Sequence, residues 1–170
     1  PAPIMSTLDS AATDRLAIYD WPLPTTQHSR GTVLLVHGLG EHMGRYAHVA
    51  KHLNDWCFTV RGYDHFGHGL SRGARGGLPT DDRMLDDLSK VLKHTRQHMR
   101  AGEPLVLIGH SMGGGVVGRY VSLHSAAVDA LVMSSPALDP GLNVVQKCLL
   151  ASLPYIAPNL RVGNGLKANF

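Results

Sequence analysis

The chain reads as an α/β domain built on a mostly parallel sheet with helices on both faces. Three observations predict this class. Short apolar runs alternate with segments whose apolar residues recur at helical spacing, the pattern of βαβ units. Residues 32–36 and 105–108 are continuously apolar, as strands covered on both faces should be. Glycine-rich loops stand where those strands end, at the edge where open α/β sheets bind ligands.

Taken in order, residues 1–14 are small and polar and are expected to trace the surface. Residues 15–21 alternate Leu16, Ile18 and Asp20 against Ala17, Tyr19 and Trp21, an early strand ended by Pro22 and Pro24. Residues 25–31 turn the chain back into strand 32–36, which terminates in His37-Gly38-Leu39-Gly40-Glu41-His42. A helix is predicted over about 45–56, with Tyr46, Val49, Ala50 and Leu53 on one face, and a strand over 57–61. Residues 62–71 form a glycine-punctuated loop carrying Asp64, His65, His68 and Ser71, which continues to Pro79. Thr80 or Asp81 caps a helix over about 82–99, where Met84, Leu85, Leu88, Val91, Leu92 and Thr95 share a face. Gly102 and Pro104 stop it, and strand 105–108, a helix over about 112–123 and a strand over 129–134 follow.

Composition narrows the function. With 44% apolar and 17% charged residues the 170-residue chain is ordinary globular material. A net charge of +3 with scattered Lys and Arg argues against nucleic-acid binding. Cys57 and Cys148 lie far apart in apolar surroundings, which points to a reducing compartment and a cytoplasmic location. Neither a signal peptide nor a membrane span is expected, and the missing initiator Met suggests a trimmed start. Among eleven histidines the best metal pair is His94 with His98, but Lys93, Arg96 and Arg100 surround it with positive charge, so the pair reads as solvated surface histidines and no metal is expected.

The chemistry concentrates at Gly109-His110-Ser111-Met112-Gly113, which follows a strand and opens a helix. G-x-S-x-G in that context is a nucleophile elbow, with Ser111 on a sharp turn and glycines where side chains would collide with backbone. The alternative is a plain glycine-rich turn with an ordinary serine. A serine hydroxyl needs a base to take its proton and paired donors to hold the developing oxyanion. The elbow offers the backbone N–H of Met112 as one donor, and the loop after the earlier strand should face it. His110 is expected to pack beside the elbow, His37 to brace its loop, and Asp64 and His68 to be structural, while Glu41 and His42 are candidates for the site entrance.

Three motifs, H-G-L-G-E-H at 37–42 followed by Gly44-Arg45-Tyr46, D-H-F-G-H-G-L-S at 64–71 and G-H-S-M-G-G at 109–114, stand in the order and spacing of a known family. Over residues 15–140 the chain resembles the monoacylglycerol lipase and lysophospholipase family of α/β-hydrolases, of the serine aminopeptidase type. The resemblance implies an α/β-hydrolase fold, an acyl-enzyme on Ser111, the Leu39 N–H as second oxyanion donor, and no cofactor. It also implies a small, single-chain lipid ester as substrate, with thioesterase or peptidase chemistry as alternatives within the fold. A non-catalytic binding or regulatory chain of the same shape is the alternative from another class.

The family's acid and histidine follow the nucleophile on later loops. After Ser111 the acids and histidines are only Asp129, expected at the opposite edge of the sheet, Asp139, the better-placed acid but with no histidine after it, and His124, on the wrong side for a base. The expectation is therefore an N-terminal portion: residues 1–139 as the first part of the core and 140–170 as the start of a cap. The acid and His would come in cis or from a separate chain, the chain alone would be inactive, and an apolar sheet edge would stand open. The apolar segment 144–156 gives the cap a surface for peripheral membrane contact, with an ordinary buried helix as the alternative.

Overall fold

The computed structural model describes residues 2–10, 14–75 and 80–137. One six-stranded sheet runs in the order β1-β2-β4-β3-β5-β6. Its strands are β1 (Ile4–Asp9), β2 (Arg15–Trp21), β3 (Gly31–Val36), β4 (Phe58–Tyr63), β5 (Leu105–His110) and β6 (Ala130–Ser134). β4, β3, β5 and β6 run parallel, and β2 and β1 are added antiparallel at one edge. The helices α1 (Ala47–Asp55), α2 (Asp81–His98) and α3 (Met112–Leu123) cover both faces.

The alternation in β2 explains its two-sided burial. Leu16 and Ile18 join Leu34, Val36, Leu105 and Leu107 under α2 and α3, packing on Leu88, Val91 and Val117. Ala17, Tyr19 and Trp21 point the other way and join Val33, Leu35 and Val60 beneath Met43 and Ala50. Thr80 caps α2, its side chain accepting the Arg83 N–H at 3.2 Å. Crossing β4, the buried Arg61 donates from Nε and Nη2 to the two carboxylate oxygens of Asp20 at 2.7 and 3.0 Å, and from Nη1 to His94 Nδ1 at 2.8 Å.

Two expectations change. Residues 4–9 lie at the surface as expected but form a strand there, because six residues pair with β2 from Ile4↔Asp20 to Asp9↔Arg15 while most of their side chains stay exposed. Hydropathy carries no trace of such a strand. β4 also starts and ends later than predicted: Cys57 is a turn residue with φ 64°, and Gly62 lies within the strand because Met43 occupies the place of a side chain there. The expected core boundary at 139, Asp139, Cys148, the 140–170 cap with its 144–156 segment, and Pro79 lie outside the described residues.

Candidate active site

β5 ends at His110 and α3 begins at Met112, so Ser111 alone makes the turn between them. Its backbone is left-handed, φ 54° and ψ −119°, a conformation that costs a non-glycine residue roughly 1–3 kcal/mol. The surroundings enforce it. The Ser111 N–H donates to the Ser134 carbonyl at 3.0 Å, and the Ser111 carbonyl accepts from Ala137 at 2.8 Å and Gly115 at 3.2 Å. A side chain on Gly113 would overlap the Val36 and His37 carbonyls, so the helix can approach the neighbouring strand only with glycine there.

The loop after β3 meets this turn because β3 and β5 are paired neighbours, Val36 opposite Gly109. A Cβ on Gly38 would lie 3.1 Å from Ser111 Cβ and 3.3 Å from the His110 carbonyl, so the loop's backbone rests directly against the serine. The Gly38 N–H donates to Glu41 Oε2 at 2.8 Å, and the same oxygen accepts the Tyr46 hydroxyl at 2.9 Å. Glu41 therefore braces the loop. Burial and the bond to Glu41 push the Tyr46 hydroxyl's pKa up, keeping it a donor. Among the described residues, the N–H groups of Leu39 and Met112 have no acceptor. Leu39 is 45% exposed at the rim.

Beneath the loop lies a buried polar cluster. Asp64 accepts from the Met43 N–H at 2.6 Å, the Leu70 N–H at 2.8 Å and the Tyr19 hydroxyl at 2.9 Å, tying β2 to the loops after β3 and β4. His37 Nε2 accepts the His65 backbone N–H at 3.1 Å, and the His65 ring donates from Nε2 to the His37 carbonyl at 3.0 Å. Burial lowers the pKa of His37 to about 4 and of His65 to about 3, so both rings are neutral near pH 7. His68 donates from Nδ1 to the Phe66 carbonyl at 3.1 Å. The structural reading of His37, Asp64 and His68 agrees with these bonds, none of which reaches Ser111. The role of His65 is not legible in sequence; its one signal is its place beside Asp64 just past a strand end.

The remaining candidates lie apart from the turn's hydroxyl. His110 Nδ1 is 3.2 Å from Ser134 Oγ. Asp129 accepts from the Leu105 N–H at 2.8 Å and from Arg96 at 3.2 Å, at the start of β5 and so at the far end from Ser111. His124 ends α3 with its ring 4.8 Å from that of Tyr120. Among the described residues no side chain hydrogen-bonds the Ser111 hydroxyl. His94 presents Nδ1 to Arg61, and a guanidinium donor leaves that nitrogen no lone pair for a metal.

A family model described as serine aminopeptidase, S33, matches residues 27–170. The chain is similar to a monoacylglycerol lipase of Mycolicibacterium smegmatis, 35% identical over 149 residues that make up 86% of this chain and 52% of that protein. It is 30% identical to the human monoglyceride lipase over 143 residues, 79% of this chain and 45% of that one. Among solved structures, the monoacylglycerol lipase of Paleococcus ferrophilus superposes with a TM-score of 0.71 at 35% identity, covering 89% of this chain and 55% of its own. A soluble variant of the Saccharomyces cerevisiae monoglyceride lipase, in complex with a substrate analog, gives 0.74 at 25%, covering 98% and 57%. The chain spans about half the length of the curated relatives it matches.

Proposed function

The chain belongs to the serine aminopeptidase S33 family and has the α/β-hydrolase fold, and from that premise we propose that it carries the nucleophile half of a serine ester hydrolase acting on monoacylglycerols, lysophospholipids or similar single-chain lipid esters. One observation carries the reading: Ser111 stands on a left-handed strand-to-helix turn, with two backbone N–H groups that have no acceptor among the described residues, Leu39 and Met112, on the adjoining segments. A strained, non-glycine turn persists only where its surroundings over-determine it, and such turns cluster at reactive positions.

In this reading the Ser111 oxygen attacks the ester carbonyl and its proton passes to a general base. The negative charge that develops on the carbonyl oxygen is held by the N–H groups of Leu39 and Met112. The alcohol leaves with a proton, and water then releases the fatty acid from the acyl-enzyme. Fixed donors of this kind are each worth about 100- to 1000-fold in turnover. The base and the acid that orients it come from outside residues 2–137, because no described side chain holds the Ser111 hydroxyl. Turnover by the 170 residues alone is accordingly inefficient. No described helix is long and apolar enough to cross a membrane. Contact with a membrane surface through the segment after residue 139, and a cytoplasmic location, belong to the same proposal.

The test is labelling by a fluorophosphonate together with hydrolysis of a monoacylglycerol, each measured on these 170 residues and on the protein with base and acid present, and compared with Ser111→Ala. Labelling confined to Ser111 and lost in the variant supports the reading. Wild-type turnover that survives Ser111→Ala overturns it. The unheld Ser111 hydroxyl favours one second reading, a binding chain of hydrolase shape, for which the fluorophosphonate leaves Ser111 untouched even with base and acid present while lipid ester still binds.

A further inference from the structure

The first His of the loop, His37, is wholly buried and takes no part in the chemistry above, yet its bonds decide where a catalytic backbone group points. Its Nε2 faces a backbone N–H, that of His65 at 3.1 Å, and so must be the lone-pair nitrogen. A neutral imidazole then carries its proton on Nδ1, which lies 2.7 Å from the Gly38 carbonyl oxygen and donates to it. That carbonyl shares a peptide unit with the Leu39 N–H. The unit is planar and, with no cis bond among the described residues, trans, so its C=O and N–H point in opposite directions. Holding the carbonyl toward the core therefore turns the Leu39 N–H outward. The other side of Gly38 is fixed as well, because its own N–H is taken by Glu41.

We propose that His37 is a positioning residue whose Nδ1–H fixes the Gly38–Leu39 peptide and thereby aims the Leu39 N–H as an oxyanion donor, an inference that rests on the hydrolase reading above. Its neutral state at pH 7 agrees with this: burial is the dominant cause, and a proton added on Nε2 would face the His65 N–H at 3.1 Å, with Asp64 Oδ1 farther off at 3.8 Å and the His65 and His68 rings 4.5 and 5.4 Å away.

Side-chain nitrogen NMR of the unmodified chain tests the first step without any variant. Expected is a proton on His37 Nδ1 and a bare Nε2; a proton on Nε2 instead overturns the proposal. Two substitutions test the second. Asn places an amide N–H near the Nδ1 position and Gln near the Nε2 position, so His37→Asn should keep the bond to Gly38 and His37→Gln should lose it. With base and acid present, fluorophosphonate labelling of Ser111 should stay within about threefold in His37→Asn and fall at least about tenfold in His37→Gln. Equal rates in the two variants overturn the proposal. If wild-type Ser111 never reacts even with base and acid present, the hydrolase reading fails, and the Leu39 amide resonance decides separately. Displacement in His37→Gln but not in His37→Asn supports the positioning role, and an unmoved resonance in both overturns it.

Discussion

Ser111 holds a backbone conformation that glycine would adopt freely, so its side chain is retained against a conformational cost. Ser111→Gly should be more stable than Ser111→Ala by about 1 kcal/mol in urea denaturation, since both lack the hydroxyl and only one relieves the turn. Gly113 is the opposite case. Gly113→Ala forces a methyl group into the Val36 and His37 carbonyls and should cost about 2–3 kcal/mol in the same measurement. Both glycines of G-x-S-x-G are legible in sequence as turn residues, and so is the bracing role of His37. The partnership of Glu41 with the Gly38 N–H and the Tyr46 hydroxyl, and that of His65 with His37, are not, because these contacts are made at spacings that no local pattern encodes.

Among the elements, those with strong periodicity match their predictions closely: β2 and α3 have the expected bounds and α2 differs by one residue at each end. The capping alternative resolves to Thr80, and Thr80→Ala should lower stability by about 1 kcal/mol through loss of the bond from Arg83. β1 escapes sequence reading because its stabilisation lies in backbone pairing with β2 instead of an apolar face. The α2 face that reads as solvated histidine surface instead docks His94 against β4 through Arg61. Arg61→Ala should therefore cost about 3 kcal/mol, because it strips Asp20 of its bidentate partner within a largely buried site. Arg61→Met, which keeps the stem's packing, removes the same charge and tells the two losses apart by thermal denaturation.

For the molecule as a whole, the buried histidines set a pH dependence. His37 and His65 are neutral in the fold, with pKa values of about 4 and about 3, while in the unfolded chain they titrate near 6.5. Between those values the unfolded chain binds more protons, so their contribution to stability is complete above about pH 6.5 and is lost as the pH falls through about 4. Asp64, His68 and His42 face the same cluster. The urea midpoint should fall from pH 7.5 to pH 4.5, and less steeply in His37→Asn, which has one such proton fewer to take up. The sheet class, helices on both faces and the site's position at the strand ends are all legible in sequence because they follow from apolar runs and glycine placement.

The pairing of Val36 with Gly109 has a consequence in time. Leu39 and Ser111 follow strands that are neighbours in space, but α1, β4 and α2 are all made between them. During synthesis the donor loop exists well before its serine does, and nothing reactive can form until β5 docks beside β3. Such non-local pairing is slow relative to helix formation. In refolding, Ser111 should become competent toward an acylating reagent only in step with hydrogen-exchange protection of the β5 amides, well after α2 has gained its helical signal.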